Sequence, residues 1–177
     1  KVVIFNSKLE NSKIKVNYLK KTKEKIYDSN YDENLLTGCL TIIDTNLNNI
    51  SIESDHSHCE DALNIVRSKG SINKLNLKNS QFDLVDFDFS DIKINKAVLS
   101  NSKNDCLDFS YGNYFIEEIR ASDCKDKALS VGEKSILKVN NFKGFQNNLD
   151  IAIKDSSEIH LNNFSSDKAN DENCISI

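Results

Sequence analysis

Apolar residues along this chain fall into triplets that recur at a fixed step. Leu63-Asn64-Ile65, Val85-Asp86-Phe87, Leu107-Asp108-Phe109, Leu129-Ser130-Val131 and Ile151-Ala152-Ile153 each begin 22 residues after the one before. Leu40-Thr41-Ile42 precedes the series by 23 residues, and Ile175-Ser176-Ile177 follows it by 24. Each triplet reads apolar, polar or small, apolar, which is the period-2 signature of a strand. A second alternating stretch repeats alongside. Leu75-Leu77-Asn79, Ala97-Leu99-Asn101 and Ile119-Ala121-Asp123 are again 22 apart. Leu137-Val139-Asn141 and Ile159-Leu161-Asn163 resume that step after a single interval of 18. On this alignment one turn shortens while another lengthens, and the strands keep their stacking.

A fixed period of this size marks a solenoid, whose turns bury their apolar faces only by stacking on one another. Short strands, no 3.6-residue periodicity and Asn or Asp at the turns predict an all-β, right-handed parallel β-helix of about seven coils. The leucine-rich pattern Leu-x-x-Leu-x-Leu-x-x-Asn is not met in successive coils. With 5 Gly and no Pro, Asn and Asp must supply the left-handed turn positions. Their stacking predicts side-chain ladders at Asn79, Asn101 and Asp123, and at Asn141 and Asn163.

At 177 residues the chain is expected to form one domain, with an irregular N-terminal coil over 1–38 and regular coils over 39–177. No apolar run is long enough to span a membrane. The chain lacks Met, opens on the apolar run Val2 to Phe5 and stops on a strand, so it is expected to be a piece of a longer protein whose flanking coils would stack on its ends. Residues 1–27 carry eight Lys against Glu10 and Glu24, whereas the chain as a whole has a net charge of −4. The Lys20 to Lys25 run reads as a solvated loop, and the acidic body disfavours nucleic acid as a partner.

Cys39, Cys106 and Cys174 each precede a triplet, in a column otherwise filled by Ala62, Leu84 and Ala128. That position predicts compact buried hydrophobes. These three are coils apart, and Cys59 and Cys124 lie about three coils apart near one turn, so no disulfide is expected. Unpaired cysteines suit a reducing compartment without excluding export. His56-x-His58-Cys59 is the one metal-like cluster, and a polar turn is the simpler reading.

Candidate chemistry lies on the outward columns. The middle residues of the triplets stack Asp86 on Asp108, with Asp88 beside them two positions on. Like charges one coil apart raise a pKa, share a proton or hold a cation. Asp86, Asp88 and Asp108 are therefore the candidate acid and base of a glycosidase, if the protein is an enzyme. Arg67, near that face, is a candidate grip for an acidic sugar. Tyr111 and Tyr114 are candidate stacking platforms for sugar rings, and Ser130 completes the outward column as a candidate contact. Glu133 and Asp155, one coil apart after the strand, are candidate Ca²⁺ ligands; no other cofactor is suggested. Asp61, Asp83 and Asp105, followed by Lys127, read as turn caps, with Lys127 offsetting Asp105.

The words Cys59-Glu60-Asp61-Ala62-Leu63-Asn64-Ile65-Val66, Asn104-Asp105-Cys106-Leu107-Asp108-Phe109-Ser110, Asp126-Lys127-Ala128-Leu129-Ser130-Val131-Gly132-Glu133-Lys134-Ser135 and Lys154-Asp155-Ser156-Ser157 resemble right-handed β-helix modules of bacterial proteins. Some of these belong to large surface-type chains that carry spore-coat-protein-H-like domains. The resemblance covers roughly 39–165 and is similar in architecture to pectate-lyase-like proteins. It implies a β-helix in a cell-surface or secreted, polysaccharide-rich setting, and supplies no catalytic set. The basic cluster that lyases use is missing around Asp86, apart from Arg67. The expected function is thus a non-catalytic scaffold or binding module for surface polysaccharide. A polysaccharide-degrading enzyme working through the acidic face and a purely structural rod are the alternatives.

Overall fold

The computed structural model describes residues 1–17, 34–167 and 174–177. The basic Lys20 to Lys25 run lies outside the described residues. Every strand pairing is parallel, and the chain winds into a β-solenoid of about six turns with a 22-residue period. Each full turn has two strand-bearing faces. The first face stacks β1 (Val2–Phe5), β4 (Gly38–Ile43), β6 (Asp61–Val66), the start of β8 (Asp83–Ser102), the starts of β9 (Leu107–Cys124) and β10 (Lys127–Phe145), β11 (Leu149–Ile153) and β13 (Ile175–Ser176). The second face stacks β2 (Lys8–Glu10) and β3 (Lys13–Asn17) on β5 (Asn46–Ser57), then β7 (Lys69–Ser80), the later parts of β8, β9 and β10, and β12 (Glu158–Asp167).

The triplets fold as their pattern dictates. Leu63, Val85, Leu107 and Leu129 are register partners at 0% exposure, as are Ile65, Phe87, Phe109 and Val131. Phe87 and Phe109 stack with ring centroids 5.5 Å apart and an interplanar angle of 7°. Register makes this possible: identical side chains one coil apart meet face to face in an offset stack.

The corners hold two kinds of column. Left-handed backbone recurs at Asp44, Arg67, Phe89, Tyr111, Glu133 and Asp155 on one corner, and at His56, Asn79, Asn101, Asp123 and Gln146 on the other. Asn101 donates to Asn79 (2.6 Å), the first step of the predicted ladder, and Asn79 carries it one coil further back by donating to Asp55 (2.7 Å). A buried hydroxyl column follows the first corner. Thr45 N–H bonds to Ser68 Oγ and Ser68 N–H to Ser90 Oγ, each at 3.0 Å. These hydroxyls donate in turn to the carbonyls of Ile43, Val66 and Asp88, which satisfies backbone groups that the turn takes out of the sheet.

Two expectations need correction. First, Leu137, Val139 and Asn141 pair with Tyr114, Ile116 and Glu118, not with Ile119, Ala121 and Asp123. The coil gains one residue at the bulge around Glu133 and Lys134 and loses it before Leu149, while the strands hold register. Asn163 does donate to Asn141 (3.1 Å), but on an outward strand position. Second, Cys39 bonds to Cys59 and Cys106 to Cys124. Each pair joins the start of a coil's first-face strand to the end of the same coil's second-face strand. Twenty and 18 residues make nearly one turn, which returns the chain to within 5.4 and 5.6 Å (Cα–Cα) of its start. Comparing cysteines within one column misses pairs that a full turn brings together. Cys59 thereby leaves the metal-like cluster, and His56 Nδ1 lies 2.7 Å from Asp55.

Candidate functional site

The first face carries the acidic residues in the expected columns. Thr41, Asn64, Asp86, Asp108, Ser130 and Ala152 are successive register partners, and Asp88 lies between Val66 and Ser110. The column is far more shielded than an outward position implies. Thr41 and Ser130 are 0% exposed, Asn64 is 4% exposed, and Asp86, Asp88 and Asp108 are half-buried. Short side chains one coil apart cover one another. The Asn64 amide donates to Asp86 (3.1 Å) and to Asp88 (2.9 Å). Burial, then the charges of Asp88, Asp61 and Asp108, push the pKa of Asp86 well above the carboxylate range.

The capping column is bound more tightly still. Asp83 accepts from the Asp105 N–H (2.7 Å), and Asp105 accepts from the Lys127 N–H (2.8 Å) and, at 3.4 Å, from its ammonium. Burial is the main cause that raises Asp61 to about 7, Asp83 to about 8 and Asp105 to about 6. Neighbouring carboxylates add to each shift, and Lys127 restrains that of Asp105. Buried oxygens of Thr41, Asp61 and Ser130 have no hydrogen-bond partner. Asp61, Asp83 and Asp86 thus hold their protons to higher pH than free carboxyls do.

The remaining predicted residues scatter. Arg67 does not reach Asp86 or Asp88; its guanidinium grips both oxygens of Asp44 at 2.9 Å, one coil in the other direction. Tyr111 is 42% exposed and stacks on Phe89 at 4.6 Å. Tyr114 is inside, at 3% exposure, against Phe87 and Phe109. The reason is visible in the hydroxyl column. Gly112 takes the place of Ser90 in the next coil, a Cβ there would lie 2.9 Å from the Tyr114 hydroxyl, and that hydroxyl accepts the Ser90 N–H (3.3 Å) in place of the absent serine. It also donates toward the Tyr111 carbonyl (3.0 Å). Ser130, fully enclosed, offers no surface to a ligand. Glu133 accepts from Ser110 (2.5 Å), and Asp155 is exposed one coil on. Among the described residues no three His, Cys, Asp or Glu side chains converge in a way that would hold a metal ion.

A groove on the second face escaped the sequence reading. It has a volume of about 830 Å³ and is lined from β5, β7, β8, β9 and β10. Crossing five strands gives it a length of roughly 19 Å at one strand spacing per step. Gly70 notches its floor between Leu47 and Ile92: a Cβ there would meet the Leu47 carbonyl at 1.9 Å. Along it runs the register column Ser71, Lys93, Phe115, Lys138, which continues to His160. Phe115 is half-buried and both lysines are exposed. Neither lysine has an ion-pair partner among the described residues. Asp91, the one carboxylate in the lining, accepts both the backbone and side-chain N–H of Asn113 (3.1 and 2.9 Å). The signal was present in the sequence as Lys93, Phe115 and Lys138 at steps of 22 and 23, outside the triplets that define the repeat.

No family model matches the chain, and it is not significantly similar to any curated protein or solved structure.

Proposed function

We propose that this solenoid is a non-catalytic module that holds a polysaccharide along its second face, as part of an exported or cell-surface protein. The observation that carries the reading is the groove, a trough across five strands whose lining places the Phe115 ring between Lys93 and Lys138. Its volume falls within the range of small-molecule sites, its length suits several sugar units, and an aromatic ring offers a sugar a flat apolar surface. The two disulfides support export, since such bonds persist in oxidising compartments.

Hydrolysis by the first face is the weaker reading. Asp86, with its raised pKa, is the candidate proton donor, but Asp86 and Asp88 are both tied to Asn64. The arginine that a lyase would use is committed to Asp44. The test is to incubate the protein with a panel of neutral and acidic polysaccharides, with and without Ca²⁺, and to size the glycan by gel filtration. Intact glycan co-eluting with protein, and lost with Phe115→Ala, is the expected result. Shortened glycan would make the protein an enzyme and move attention to Asp86, Asp88 and Asp108. Neither outcome across the panel would leave a structural rod.

A further inference from the structure

We infer that the groove selects an anionic polysaccharide, whose charged groups on alternate units are held by Lys93 and Lys138 while the unit between them packs on Phe115. This rests on the reading that the groove binds polysaccharide, and adds the class of ligand.

Three features of the groove point the same way. Lys93 and Lys138 sit one coil to either side of Phe115 in a single register column, so their backbones are roughly 9–10 Å apart. An extended pyranose chain advances by a step comparable to one coil. A polymer lying along the rod therefore brings alternate units over the lysines and the intervening one over the ring. Both ammonium groups are also uncommitted. Elsewhere on this face Lys13 pairs with Glu53, Lys78 with Asp55 and Lys96 with Glu118, whereas Lys69, Lys74 and Lys143 have no ion pair among the described residues; what distinguishes Lys93 and Lys138 is that they line the groove on either side of Phe115. Finally, Asp91, the one carboxylate in the lining, bonds to Asn113 and makes no contact ion pair with either lysine.

Neutral sugars would use the ring and hydroxyl contacts but gain nothing from two unpaired cations. Non-specific attraction is an unpromising explanation for any polyanion binding, because the chain has no excess of basic side chains, 23 Lys and Arg against 27 Asp and Glu. The carboxylates of a uronate polymer and the sulfate esters of a sulfated one share the chemistry an ammonium group recognises.

The experiment is affinity electrophoresis of the whole chain in gels containing sodium alginate, dextran sulfate or uncharged dextran, each at low and at physiological salt. Alginate, dextran sulfate or both should retard the protein, and salt should weaken the retardation. Whichever polymer retards more identifies the acidic group. The Lys93→Gln/Lys138→Gln variant should lose at least about tenfold in apparent affinity. A Lys103→Gln/Lys125→Gln variant, with the same charge change at the far end of these strands, should keep wild-type retardation. Equal losses in the two variants would reduce the effect to net charge and overturn the inference. Retardation by dextran alone, sensitive to Phe115→Ala and indifferent to the lysines, would overturn the ligand class while leaving the polysaccharide reading intact. No retardation in any gel, with circular dichroism showing folded protein, would overturn both.

Discussion

The two faces of this rod are built from one repeat and handle charge in opposite ways. On the first face six carboxyl groups, Asp61, Asp83, Asp86, Asp88, Asp105 and Asp108, crowd around the Asn64 column, half or fully buried, and apart from Lys127 beside Asp105 their neighbours are carboxyls, amides and backbone N–H groups. Burial disfavours the ionised form, and raises Asp61, Asp83 and Asp86 far enough to keep protons near neutral pH. On the second face Lys93 and Lys138, without an ion-pair partner among the described residues, flank a half-buried ring. Burial makes the first face an internal feature of the rod, whereas exposure without a partner makes the second a place for something else to sit. Charge density by itself is therefore a poor guide to function in a stacked fold. Whether a charge already has its partner matters more.

The comparison assumes a shared scaffold, and the largest expected effect breaks it. Phe109 is fully buried between Phe87 and Tyr114 and joins the two faces. Phe109→Ala should cost about 3–5 kcal/mol in a urea titration, and should perturb both faces at once. Removing the Cys106–Cys124 bridge by a double change to Ala should cost about 3 kcal/mol, through the entropy of an open chain. Binding at the groove should survive that change at temperatures where the protein stays folded.

A smaller effect isolates the first face. Asp61, Asp83 and Asp105 bind protons more tightly when folded than a free carboxylate does. Their contribution to stability is full below about pH 4 and is lost as pH rises through the folded values, up to about 8 for Asp83. Thermal unfolding should therefore show a melting temperature that falls between pH 5 and pH 8.5. Asp83→Asn should flatten that slope, because an amide cannot ionise. A melting temperature that rises over this range would mean the carboxylates are paired with cations. The smallest effect isolates the second face: Lys138→Gln should change stability by less than about 0.5 kcal/mol in the same titration while weakening polyanion binding.

Much of this was legible in the sequence. The triplets gave the strands, the register and the inward columns, because a period-2 pattern locked to a 22-residue step leaves one stacking. The carboxylate columns followed from the same step. What escaped depended on corners. Tyr114 looks outward until Gly112 is recognised as a gap in the Thr45, Ser68, Ser90 column that a phenol can fill. The disulfides required closing a full turn rather than climbing a column. Arg67 turned toward Asp44 because both occupy the same left-handed corner one coil apart. The groove was missed because Gly70, which opens it, registers in the sequence only as an absent side chain.

The division of labour between the faces can be tested by footprinting lysines with an acylating reagent, with and without a polymer that retards the protein, and reading each site by mass spectrometry. The account predicts that Lys93 and Lys138 become protected, while Lys103 and Lys125 at the far corner, and Lys127 and Lys154 beside the acidic face, react as before. Protection of Lys127 and Lys154, with Lys93 and Lys138 unchanged, would place the ligand on the first face and contradict it.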